Sequence, residues 1–301
     1  MVKTPFAQLL GALVATGVSS ITVTDSIDDE SDALSVSCES SSAFGLLPLP
    51  ATVLLGYQEG MMWPAGLYTL QSVTTLPIGE RLLFTSAAFD GTMKKKRTKS
   101  YQKLTLKDLV AKIAKQNGLS SKSDMDQFLL HVDQKNESDT ALLKRYAQKY
   151  NAIFNIKNGT LIFLSKNSLS LPLFLLFAQD AQSYSLYTNH KFLYRSLEVK
   201  YHNHKKNKTE KIKIGSGDPK YIIEQIQKTK AEAKDIGKAK LERLIAKTRG
   251  GTITVEGQNL VAGGKVLLIG FCKGDGLYLI TNAEHKAAEI FTTTLTLEQA
   301  I

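Results

Sequence analysis

The chain has 301 residues, of which 43% are hydrophobic and 22% charged, so it can bury a real core, and wholesale disorder is excluded. Its formal net charge of +10 is uneven: residues 1–93 hold nine acidic side chains against Lys3 and Arg81, a net −7 that leaves +17 for the remainder. Opposite signs at the two ends suit a part that stacks in a fixed orientation better than a nucleic-acid coat. The two cysteines, Cys38 and Cys272, are too few and too far apart for a disulfide scaffold or a zinc knuckle, and are expected as buried thiols in strands.

Lys3 followed by the apolar run Phe6–Val18 has the outline of a secretory signal. Gln8, Gly11, Thr16 and Gly17 interrupt it, and it flows into the alternating Ser20–Thr24, so it is read as part of the fold. No apolar run reaches the roughly 20 residues a membrane-spanning helix needs, so no membrane anchor is expected.

Residues 1–93 read as β-rich. Alternation marks strands at Ser20–Thr24 and Ala33–Cys38, with the acidic turn Asp25–Asp32 between them. Ala51–Gly56, Gly66–Val73 and Arg81–Ala87 follow, punctuated by Gly60, Pro64, Pro77 and Gly79. Several short strands with regular turns predict a small barrel-like domain.

The basic run Lys94, Lys95, Lys96 and Arg97 opens residues 94–166 and reads as a solvated connector. Thr105 then caps a helix that reaches Asn117, with Asp108 at capping-box spacing and Gly118 at its end. A second helix is predicted over Ser138–Tyr150. The pair Asn158-Gly159 between two alternating runs is a strong hairpin signal. Two helices and a hairpin make this a compact α+β unit.

Residues 167–190 read as a linker, although Leu169–Ala178 is more apolar than a linker needs and suits buried or interfacial surface. Residues 191–301 read as a second β-barrel-like domain carrying one long helix. Leu193–His202 and Glu210–Ile214 are expected to pair, Gly215–Asp218 to turn, and Pro219–Thr248 to form that helix. Thr252–Glu256, Lys265–Cys272, Gly276–Ile280 and Ala288–Leu297 complete the strands. The fold class is therefore α+β.

Catalytic signatures are missing: there is no GxSxG, no HExxH, no phosphate loop and no isolated carboxylate pair. His202 and His204 could offer two metal ligands on one strand face, but no third accompanies them. No metal or cofactor is expected, and no enzyme.

Several stretches resemble the phage late control protein D family, the baseplate hubs of contractile tails, related to the hub portion of type VI secretion spike proteins. The strongest runs from His131-Val-Asp-Gln-Lys-Asn-Glu-Ser-Asp139 through Leu142–Tyr150 to Lys157–Phe163. Lys95–Ser100 leading into Thr105–Val110, the opening Ser20–Ser37 and the closing Thr292–Glu298 also match. The resemblance implies a non-enzymatic homotrimer, each subunit giving two similar β-barrel domains to a ring that joins a sixfold tail tube to a threefold spike. Implied partners are the central spike, the tube protein or its initiator, other baseplate proteins and the tape-measure protein. Implied locations are the particle's baseplate, in phage or tailocin, and the bacterial cytoplasm during assembly. Nothing after Glu298 could form a fused spike, so a separate spike protein is expected. Asp28, Asp29 and Glu30, with Lys94–Arg97, are candidate interface residues.

Two other readings compete. Ser138-Asp139-Thr140 before Leu142, Leu143, Tyr146, Ala147 and Tyr150 is reminiscent of LysM modules, which bind peptidoglycan. A helix cap and a buried face explain the same residues. The positive charge would also serve nucleic-acid binding, although the basic run lacks interleaved aromatics.

Overall fold

The structure, a computed structural model, describes residues 4–11, 15–27, 31–42, 50–86, 93–203 and 206–301. Its frame is a twelve-stranded sheet drawn from both ends of the chain. From Pro5–Gly11, hydrogen-bonded neighbours follow in the order Pro50–Tyr57, Met62–Thr75, Glu80–Thr85, Ala33–Cys38 and Ser20–Ser26. There the sheet jumps in sequence. Ser20–Ser26 pairs antiparallel with the far half of Gly276–Ala287, from Ser26↔Asn282 to Ile21↔Ala287. It then continues through Phe291–Gln299 and Arg249–Glu256 to Ala181–Thr188. The near half of Gly276–Ala287 also pairs with Lys265–Ile269, which carries Leu173–Phe177 in parallel.

Period-two alternation decides which side chains point inward. Ile21, Val23, Leu34, Val36, Leu82 and Phe84 are buried in the N-terminal core, and Ala287 and Phe291 from the C-terminal half complete it. The C-terminal half has its own core of Ile253, Val255, Leu268, Tyr278, Leu295 and Leu297.

Two smaller units are inserted into this frame. In the first, Lys96–Thr105 pairs antiparallel with Phe128–Ser138. Helix α1 (Leu106–Gln116) has the expected reciprocal capping box between Thr105 and Asp108. Helix α2 (Asp139–Tyr150) is capped by Ser138, whose hydroxyl accepts from the Ala141 N–H at 3.1 Å. Asn158 and Gly159, at φ 48° and 70°, turn the expected hairpin between Ala152–Lys157 and Thr160–Ser165. Ser120–Ser123 joins the hairpin in parallel.

In the second unit Ser196–Asn203 pairs antiparallel with Lys208–Gly215, as expected, and parallel with Lys220–Gln227. Helix α3 (Lys230–Ala246) lies on this small sheet. It comes so close that a Cβ on Gly237 would stand 2.3 Å from Ile214 Cδ1 and 2.8 Å from Val199 Cγ2. The two inserted units also pack together. Ile236 of α3 enters the core of the first unit, and Lys149 Nζ lies 2.8 Å from Glu232 Oε1.

Three expectations need correction. The helix predicted over Pro219–Thr248 begins only at Lys230, because Lys220–Gln227 is a strand with Tyr221 and Ile223 turned toward the small core. Gly215–Asp218 therefore links two strands. The stretch 167–190, expected as a linker, supplies the strands Leu173–Phe177 and Ala181–Thr188, so the C-terminal sheet takes two of its strands from before residue 191. Cys38 is buried in its strand as expected, whereas Cys272 is exposed in a turn at φ 57°.

Candidate functional site

Three parts of the molecule meet at one buried charged cluster. Asp25 stands near the end of Ser20–Ser26, and Asp32 directly precedes Ala33–Cys38. The first inserted unit contributes Asn155 and Lys157 from its hairpin. The C-terminal half adds the loop at Ala262. Lys157 Nζ bonds Asp25 Oδ1 and lies 3.6 Å from Asp32 Oδ2. Asn155 Nδ2 donates to Asp32 Oδ1 at 2.9 Å and to the Ser26 carbonyl at 2.7 Å. The Ala262 N–H donates to Asp25 Oδ2 at 3.0 Å.

Burial, and after it repulsion from Asp25, push the Asp32 carboxyl up to about 7, against the pull of Lys157 and of the hydrogen bonds from Asn155 and Ser26. His285 lies on the wall of the same cleft, and its pKa is lowered, chiefly by burial. The cleft, of about 190 Å³, is also lined by Trp63 and Tyr68. A displaced carboxyl pKa in a cleft is a common mark of an active site. Here each of the four carboxylate oxygens already meets a group of the same chain, leaving none directed at a substrate. The arrangement is that of a clamp holding three units in one register.

A second cluster explains the strongest sequence motif. The Asp139 side chain is completely buried at the start of α2 and lies 3.2 Å from Arg97 Nη1. It also accepts from Asn117 Nδ2 at 2.9 Å and from Gln134 Nε2 at 2.8 Å. Glu137 faces Arg145 instead, with Oε2 2.8 Å from Nη2. Gln134, Glu137, Ser138 and Asp139 thus each have a structural role: Gln134 bonds Asp139, Glu137 pairs with Arg145, Ser138 caps α2, and Asp139 gathers Arg97, Asn117 and Gln134. In the sequence Asp139 was read only as part of a helix cap; the structure makes it the centre of a buried network.

The basic run divides. Lys94, Lys95 and Lys96 are exposed, while Arg97 is half-buried and turned toward Asp139. Lys96 and Arg97 belong to a paired strand rather than to a connector. Asp28, Asp29 and Glu30 lie outside the described residues, as does His204. Among the described residues no group of three or more His, Cys, Asp or Glu could hold a metal ion. No described helix is long and apolar enough to cross a membrane. The face that suggested sugar binding is internal: Leu142 and Leu143 are fully buried, and Tyr146 and Tyr150 are nearly so.

The charge asymmetry also takes a different form from the one expected. Residues 94–166 carry sixteen Lys and Arg against six Asp and Glu, and residues 191–248 carry sixteen against seven. Residues 249–301 hold only four against five. The contrast is therefore between an acidic sheet frame, net −9 over residues 1–93, 167–190 and 249–301, and two basic inserts of +10 and +9, not between the two ends of the chain.

The family model described as phage tail baseplate hub (GPD) matches residues 81–290. The chain belongs to this baseplate hub family. It is 32% identical over 158 residues to the probable baseplate hub protein of Escherichia phage 186, a match covering 50% of this chain and 40% of that protein. Among solved structures, a 43 kDa tail protein from prophage MuSo2 of Shewanella oneidensis superposes with a TM-score of 0.70 at 13% identity, covering 98% and 99% of the two chains. An E. coli component of the type VI secretion system superposes at 0.63 with 12% identity, covering 96% of this chain and 76% of that one. These likenesses show a shared tail-hub fold, and the family resemblance drawn from the His131–Phe163 motif is borne out.

Proposed function

We propose that the chain is the central hub of a contractile tail: a homotrimer that adapts the sixfold tube to the threefold spike. The observation that carries this reading is the pairing of Ser20–Ser26 with Asn282–Ala287. It makes the two β-rich halves, each with its own core, one continuous sheet, the arc that each copy would give to the ring. Three such arcs supply six similar halves, which meets a sixfold tube on one side and a threefold spike on the other. The clamp of Asp25, Asp32 and Lys157 keeps the inserted unit from shifting when load passes through the arc.

In this role the chain is structural rather than catalytic. Its partners are the spike, the tube protein or its initiator, other baseplate proteins and the tape-measure protein, and it assembles in the host cytoplasm. The test is co-expression with the spike and tube-initiator proteins of the same particle, followed by affinity purification. The spike should co-purify at one spike trimer per three hub chains. Absence of both partners from the purified material, with each of them folded, would refute the adaptor role.

A further inference from the structure

A cavity of about 350 Å³ opens where the sheet frame and both inserted units meet. Its buried lining is apolar: Ile27 comes from the frame, and Ala147, Ala152 and Phe154 from the first insert. Its charged lining is one-sided. Lys144 of α2, Lys166 after the hairpin and Arg243 of α3 face the space, against Glu298 of the strand Phe291–Gln299.

The acid is already paired, with Glu298 Oε1 2.8 Å from Lys166 Nζ. Among the described residues neither Lys144 nor Arg243 forms an ion pair. Arg243 Nη1 donates to the Gln148 carbonyl at 3.0 Å, which fixes the guanidinium at the cavity wall and leaves the rest of its donor fork unused among those residues. The carbonyl end of α2 carries roughly half a negative charge, so it offsets less than one of the two cations. Both are half-buried, where a positive charge draws a counter-ion more strongly than it does in open water.

Two uncompensated cations call for a dianion, and a guanidinium fork matches phosphate oxygens. The volume lies near the lower end of small-molecule sites, which span about 300–1,000 Å³. We propose that this cavity binds a small organic phosphate: a phosphate monoester whose dianion lies between Lys144 and Arg243, with its apolar body against Phe154 and Ile27. Such a ligand touches the frame and both inserts at once. Its binding therefore stabilises their packing in the folded chain.

The experiment is calorimetric titration of the full chain at low ionic strength with phenyl phosphate, inorganic phosphate and benzoate, alongside thermal melts. Phenyl phosphate should saturate one site per chain and raise the melting temperature. Inorganic phosphate lacks the apolar body and benzoate lacks the second charge, so each should bind about tenfold more weakly. Lys144→Gln and Arg243→Gln should each weaken phenyl phosphate by about tenfold, whereas Lys112→Gln, on the exposed face of α1, should leave it unchanged. If Arg243→Gln fails to fold, Arg243→Lys replaces it, keeping the charge and losing the fork, and should weaken binding by a smaller factor. Absence of saturable binding would overturn the site, as would affinity that the Lys144 and Arg243 variants leave unchanged or that Lys112→Gln lowers equally. Inorganic phosphate or benzoate binding as tightly as phenyl phosphate would overturn the assigned ligand class.

Discussion

The guanidinium of Arg97 lies 3.2 Å from the carboxylate of Asp139, joining the edge of a basic run to the buried start of α2. The contact ties Lys96–Thr105 to the helix that follows its partner strand. Asn117 and Gln134 complete the network around the carboxylate. Removing the acid leaves Arg97 and two amides without their shared acceptor. Asp139→Ala should therefore cost about 3–5 kcal/mol, read as a lower midpoint in urea. Asp139→Asn, which keeps the shape and part of the hydrogen bonding, should cost less.

The junction of Asp25, Asp32 and Lys157 should respond to pH. Asp32 has a folded-state pKa raised from 3.8 to about 7, so the folded form holds a proton there that the unfolded chain has released. That contribution to stability is fully present below about pH 4 and is lost as pH rises toward 7. Asp32→Asn removes the titration. Its stability relative to the wild type should thus improve between pH 4 and pH 7 by an amount on the order of a few kcal/mol. Thermal melts of both proteins across that range would show it, and parallel curves would refute it.

Among the described residues, Lys157 is the one cation bridging the two acids of this junction. Lys157→Met should destabilise the chain by about 2–4 kcal/mol at pH 8, where both carboxylates would be left facing each other. At pH 4 the loss should be smaller, because Asp32 is then protonated. Chemical denaturation at the two pH values makes the comparison.

Gly237 separates two opposing effects. Alanine in its place improves helix propensity by about 1 kcal/mol. Its Cβ, however, would enter space held by Ile214 and Val199. Overpacking of this kind typically costs about 1–3 kcal/mol, so Gly237→Ala should be destabilising on balance, and Gly237→Val clearly more so. An increase in melting temperature for the alanine variant would show that α3 can lift off its sheet without loss.

The local elements were legible wherever a short-range rule fixes them. Thr105 with Asp108, Ser138 before α2 and Asn158-Gly159 each settled a cap or a turn, and the structure has all three. What failed was the assignment of apolar segments whose partners are remote. Lys220–Gln227 continues in sequence into a Lys- and Glu-rich helix, and only its pairing with Ser196–Asn203 makes it a strand. Leu173–Phe177 is a strand because Lys265–Ile269, about ninety residues later, offers it an edge. The joining of the two β halves through Ser26↔Asn282 likewise has no local signal. The candidate site was half visible: the motif drew attention to Asp139, but the Asp25–Asp32–Lys157 junction exists only in three dimensions.

The most direct test of the hub reading is sedimentation equilibrium of the purified chain, alone and with its cognate spike. A threefold hub of 33.1 kDa subunits should give a species of about 99 kDa, with the spike adding its own mass to that species. A 33.1 kDa monomer in both samples would contradict the account.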